Sequence, residues 1–289
     1  MELWIIYAIL WAIWTGMYGV CQKIETESGM VDRAAFLFYP YAVGILWLSI
    51  VMYFYNIPLI FDIQLILMWA SVAILYTLVL KMRYFCLDYM SSSSYFINYR
   101  ILISIGLIFV GTLGFHETIT LREYMWIWLG FIIFYLLIEK KSSQETLSDL
   151  KKWYVFLWIS VLFAVLIWVI QKQVTFSTQD IWSFIFYNTV VGMFMSCALW
   201  VKRGYKKMLR IPHLQAALFI WLTSCLFVTP YFFHLYTLYA GWDVAIAYKI
   251  ISYGMILPIL FSIIYYKEPV TWKKLLAFVL TIISIGLFI

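Results

Sequence analysis

Charge is scarce in this sequence. Asp, Glu, Lys and Arg make up 12% of the 289 residues, and 65% are hydrophobic, whereas charged residues are about a quarter of a soluble globular domain. A chain with so little polar surface is expected in a membrane, and its unbroken apolar runs, without period-two alternation, favour helices over a β-barrel. Cysteine and histidine are also few. Cys21, Cys86, Cys197 and Cys225 sit in or at the ends of apolar runs, and His116, His213 and His234 are scattered, so neither a metal centre nor a Cys/His catalytic pair is expected. Glycine-rich phosphate loops and nucleophile elbows are missing, as are paired carboxylates within the spans, so the chain is not expected to be an enzyme or to hold a cofactor. The first residues, MELWIIYAILWAIW, carry no basic segment and no cleavage site, and are expected to stay as a helix. The net charge of +6 lies beside the apolar runs, which argues against nucleic acid as a partner and for the lipid bilayer.

What is there is a succession of apolar runs. They predict an all-α integral membrane protein of ten transmembrane helices, near 3–22, 34–55, 64–84, 92–114, 121–139, 153–171, 181–201, 213–237, 243–265 and 272–289. Counted by alternate connections, 16 Lys and Arg fall on one face and only Arg122 and Lys172 on the other. Cytoplasmic loops collect Lys and Arg, so a multi-pass protein of the cell (inner) membrane with both termini away from the cytoplasm is expected.

The chain also repeats itself at a shift of about 150 residues. VCQK (20–23) returns as VIQK (169–172), FYPYAVG (38–44) as FYNTVVG (186–192), and YRILIS (99–104) as YKIIS (248–252); HETIT (116–120) returns as KEPVT (267–271). Four echoes in one order predict a five-helix unit used twice, 1–139 and 153–289, joined by a polar linker, 140–152. An odd number of spans per unit turns the second copy over, which gives two inverted five-helix repeats.

Two cations lie inside the predicted spans, Arg100 in the fourth and Lys249 in the ninth, each after a tyrosine, Tyr99 and Tyr248. A charge near the bilayer centre costs about 2.5–3.5 kcal/mol on insertion scales, so such residues face a cavity or a partner. Every Asp and Glu falls at a predicted helix end or in a connection; the nearest, Asp88 and Asp243, would stand about 18 Å and about 9 Å away at the rise of a helix. With no close acid, the expected counter-charge is a substrate's carboxylate or phosphate, gripped by Arg100 as a fork and Lys249 as a point charge. Snorkelling of Lys249 and a structural role for Arg100, bonded to carbonyls, Asn98 or Tyr neighbours, are the alternatives. Lys249 also allows proton coupling, since a buried amine loses its proton readily. Asn188 is a mid-membrane amide, and Tyr39, Tyr187 and Asn98 complete the expected substrate-binding set. Pro230 and Pro258 are expected to kink helices eight and nine. Trp11, Trp14, Trp47, Trp69, Trp168 and Trp221 are expected mainly at the interface or in packing.

The stretches YFINYRILISIGLIFVGTLGFHETIT and AYKIISYGMILPILFSIIYYKEPVT resemble the helix, Glu-containing turn and following helix of the drug/metabolite transporter superfamily. Glu117 and Glu268 match its acidic turn residue. The resemblance covers essentially the whole chain, whose ten-helix members carry two EamA-type repeats. It implies alternating access through a central cavity lined by both halves, and in the superfamily's usual orientation the termini are cytoplasmic, opposite to the charge count. A narrower similarity to nucleotide-sugar transporters rests on Phe186, Tyr187, Asn188 and Lys249; Thr189, Ala245 and Tyr248 depart from that pattern. The expected function is a secondary transporter for a small anionic or zwitterionic metabolite, such as an amino acid, organic acid or phosphate ester, working as a monomer or homodimer with proton or counter-substrate coupling. An exporter of aromatic or quaternary cations, or a flippase for a lipid-linked phosphate or sugar, are the other readings.

Overall fold

The computed structural model describes residues 3–28, 33–116, 118, 120–137, 147–177, 181–201, 217–227, 233, 254 and 256–286. They form helices α1 (Leu3–Ser28), α2 (Arg33–Phe54), α3 (Ile63–Tyr89), α4 (Ser92–Phe115), α5 (Leu121–Leu136), α6 (Leu147–Ser177), α7 (Ile181–Val201), α8 (Ala217–Phe227), α9 (Ile256–Ile264) and α10 (Trp272–Gly286). No strand occurs among the described residues. Five stretches are long and apolar enough to cross a membrane: Phe36–Phe54, Ile63–Leu87, Ser94–Phe115, Lys151–Gln173 and Ile181–Ala198.

Local chemistry fixes several ends. Asp62 caps α3 by accepting from the Gln64 amide at 2.8 Å, and Ser91 caps α4 by accepting from the Ser94 amide at 3.3 Å; each satisfies a donor that the first turn leaves open. Only Met90 and Ser91 separate α3 from α4, so α4 starts at the end of the molecule where α3 finishes. α4 ends on His116 in the left-handed region, φ 56°, and Lys267 after α9 adopts φ 50°.

Helix boundaries differ from the sequence expectation in three informative places. α1 continues to Ser28 and α3 to Tyr89, while α6 begins at Leu147, inside the stretch read as linker. Lys23 and Arg83, counted from sequence as connection charges, therefore sit on helices. Lys23 is 2% exposed. Lys23 and Arg83 bond neighbouring elements, Glu268 and Gln22, so a charge at these positions does not mark the end of a helix.

The core lies where helices cross. α2 packs on α7, α3 on α6 and α7, α4 on α6, α1 on α9, and α5 on α10. Two crossings are set by glycine. A Cβ on Gly16 of α1 would strike the Gly254 carbonyl, and one on Gly254 would strike that of Ala12; one on Gly192 of α7 would run into the Tyr41 ring of α2. Small residues permit such backbone approach, which packs membrane helices where no hydrophobic force acts between them. Pro258, expected to kink a helix, lies within α9 and faces Gly19 of α1. Outward faces carry large apolar side chains, among them Phe54, Leu113, Trp128 and Trp272, which is compatible with a surface that meets lipid.

Candidate functional site

Helical periodicity brings one face of each of four helices to a common space. α1 contributes Trp11, Thr15 and Tyr18, α3 Tyr76, Val79 and Arg83, α4 Tyr99, Arg100 and Ile103, and α6 Ala164, Ile167, Trp168 and Gln171; Leu226 and Phe227 of α8 complete the wall. These residues are spaced three, four or seven apart wherever three or more come from one long helix, apart from the adjacent pairs Tyr99–Arg100 and Ile167–Trp168, so each stripe is a single face. The cavity holds about 100 Å³, several times the ~10–15 Å³ that admits one water.

Two guanidinium groups belong to this cavity. Arg83 is fixed on three sides: Nη1 donates to Gln22 Oε1 at 2.6 Å, Nε donates to the Tyr95 hydroxyl at 3.4 Å, and the group lies over the Tyr99 ring, 5.3 Å from its centre. These partners are all neutral. Among the described residues Arg83 has no ion pair, and its two hydrogen bonds use two of five guanidinium N–H donors. Arg100 lines the same wall one residue beyond Tyr99. Arg83 is held by packing as well: Tyr99 stacks on Tyr95 at 5.5 Å, so the ring beneath Arg83 cannot swing away freely.

The rest of the wall is aromatic and aliphatic, with the Thr15 hydroxyl and the Gln171 amide among its polar groups. Trp11 meets Trp168 at 5.3 Å, and Phe227 meets Tyr18 at 5.5 Å and Tyr76 at 5.8 Å; such pairs contribute about 0.5–1.5 kcal/mol each beyond burial. Gln171 is 2% exposed, and its Oε1 has no hydrogen-bond partner among the described residues. A buried amide without a protein partner costs stability unless a ligand or water supplies one. The cavity therefore offers positive charge, flat apolar faces and an amide, a combination suited to a small organic anion.

Of the residues singled out from sequence, Tyr99 and Arg100 line this cavity. Tyr187, Asn188, Tyr39 and Asn98 do not. Tyr187 stacks on Trp69 at 5.1 Å, and Asn188 next to it is buried with Oδ1 lacking a partner among the described residues. Tyr39 packs edge-on against Phe38 at 5.7 Å. Asn98 is fully buried, and neither amide atom finds a partner among the described residues. Lys249, Tyr248 and Pro230 lie outside the described residues. Trp11 and Trp168 are cavity walls, Trp69 is fully buried, and Trp47 and Trp221 are exposed. Arg83 was missed because KMRYF reads as a helix end, although the apolar run YFCL that follows it signals that α3 continues.

No family model matches the chain, and no curated protein does. The chain is similar to a solved structure described only as a crystal structure of protein, with a TM-score of 0.64 and 11% identity over 99% of this chain and 94% of the other. That likeness concerns the fold alone.

Proposed function

We propose that this protein is a multi-pass secondary transporter of the cell membrane that moves a small organic anion or zwitterion through the cavity between α1, α3, α4 and α6. The observation that carries the reading is the pair Arg83 and Arg100 in one aromatic-walled space. A carboxylate or phosphate entering this space can accept forked hydrogen bonds from a guanidinium group, and Arg83 keeps N–H donors to offer. The same pair counts against export of cations. Tyr99 belongs to this site; Lys249 and Tyr248, its sequence echoes, lie outside the described residues.

Ten spans in two inverted repeats fit the packing. Exchanging each helix for its counterpart five places on turns the contact of α1 with α9 into that of α6 with α4, and leaves the pairs α2 with α7 and α5 with α10 unchanged. His116 and Lys267, equivalent in the repeat, both take the left-handed conformation. Alternation of access between the two halves follows as the working mechanism.

A ligand-stability screen on purified protein tests the function. Small carboxylates, amino acids and phosphate esters are expected to raise the unfolding temperature of the wild type, and Arg83→Ala or Arg100→Ala to abolish that rise. Stabilisation by cations alone, or equal stabilisation of all three proteins by anions, would overturn the reading. Labelling of a cysteine placed in the 202–210 connection is expected only from the cytoplasmic side, in keeping with the charge count.

A further inference from the structure

The most deeply buried lysines of the described residues occupy equivalent places, and both reach across from one half of the sequence to the other. Lys23, near the end of α1, donates from Nζ to Glu268 Oε1 at 3.1 Å and lies over the Tyr266 ring, 5.5 Å from its centre. Lys172, near the end of α6, lies over the Phe115 ring at 4.4 Å. Lys23 and Lys172 end the echoed VCQK and VIQK stretches, and Tyr266 and Phe115 immediately precede the echoed turns KEPVT and HETIT. Both lysines are well buried, at 2% and 6% exposure, so neither contact is a loose surface pairing.

The two contacts lie at opposite ends of the molecule. Arg83 near the end of α3 bonds Gln22 near the end of α1, which sets those two ends on one side. α3 turns directly into α4, so α4 starts on the Lys23 side, and its 24 residues carry Phe115 roughly 36 Å away. The cavity lies between. On α1 it ends at Tyr18, five residues before Lys23, and on α6 at Gln171, the residue beside Lys172.

We infer that Lys23 with Glu268 and Tyr266, and Lys172 with Phe115, are the two closures of the transport cavity, one at each end, and that opening either end requires parting its own lysine contact. Each closure joins a helix of one half to the other half, Lys23 to the turn after α9 and Lys172 to the last residue of α4, so a relative tilt of the halves pulls on both. The Gln preceding each lysine is tied to the site: Gln22 accepts from Arg83, and Gln171 lines the cavity. A ligand that draws on Arg83 or Gln171 therefore acts on the residue next to a closure, which gives binding a direct mechanical route to the ends of the cavity.

Thiol accessibility tests this without any substrate. The four native cysteines are replaced, Thr15→Cys reports from the cavity wall, and Thr271→Cys and Leu121→Cys in separate chains identify the faces bearing Glu268 and Phe115. In sealed vesicles, an impermeant thiol reagent is expected to label Thr15→Cys at least fivefold faster from the Thr271 face after Lys23→Gln or Glu268→Gln. The swap Lys23→Glu with Glu268→Lys is expected to restore slow labelling, and Lys172→Gln to speed labelling from the Leu121 face only. Tyr266→Leu and Phe115→Leu, which keep both charges, carry the same test where a charge variant does not fold. Parent-like labelling from both faces in folded variants, acceleration from the wrong face, or a swap as open as the single variants would overturn the inference. None of these readouts depends on which ligand binds, so the proposed anion selectivity stands or falls separately.

Discussion

Arg83 and Gln22 meet at 2.6 Å, the guanidinium donating to the carboxamide oxygen. This bond ties α3 to α1 at the edge of the cavity and holds a full positive charge with neutral partners only. Gln22→Leu leaves Arg83 without its shortest acceptor. A hydrogen bond to a charged group contributes about 1.5–3 kcal/mol, so the variant is expected to lose stability by that order in denaturant titrations. Anion binding is expected to weaken as well, since the fork is no longer aimed.

Arg83→Lys separates charge from shape. A lysine keeps the positive charge but cannot span Gln22, Tyr95 and a ligand at once. About a tenfold weaker affinity for the stabilising anion is expected, equivalent to about 1.4 kcal/mol, measured by calorimetry on the purified protein. Equal affinity would mean that charge alone binds the ligand.

The glycines predict a graded packing series. Gly16→Ala places a methyl against the Gly254 backbone, which has no rotamer to change, whereas Gly192→Ala meets the Tyr41 ring. Overpacking costs about 1–3 kcal/mol. Gly16→Ala is expected to be the more damaging in thermal unfolding, and Tyr41→Ala is expected to relieve Gly192→Ala only. Gly114→Ala, whose methyl would meet Val110 at an ordinary contact distance of 3.8 Å, serves as the neutral control.

Asn98→Leu is expected to leave stability unchanged or raise it. Its amide is fully buried with no partner among the described residues, and removing an unsatisfied buried polar group recovers about 1–3 kcal/mol of desolvation. A loss of more than about 1 kcal/mol in the same unfolding assay would show that the amide has a partner.

Trp168→Ala removes the ring against Trp11 and enlarges the cavity. Large-to-small changes of this kind cost about 3–5 kcal/mol, so a lower unfolding temperature is expected, with Trp168→Phe intermediate. Restored stability on adding an aromatic carboxylate would place the ligand's ring in the vacated space.

By itself, the sequence determined the class of the molecule. Hydropathy over about 20 residues is a local property, so α2, α4 and α7 were legible almost to the residue, and Arg100 stood out because a charge inside an apolar run needs no neighbour to be conspicuous. The echoed stretches also marked Lys23 and Lys172 as a pair. Arg83 was not legible as a site residue, because a cation near a predicted helix end reads as a flank until a neighbouring helix is seen to bond it. Nor could sequence tell that Tyr187 stacks on Trp69, while Trp11 and Trp168 face the cavity. In a chain whose helices are apolar on most sides, amphipathicity does not say which face turns inward. That choice belongs to tertiary structure, where close crossings such as Gly16 with Gly254 fix the rotation of each helix and thereby decide which side chains share the cavity.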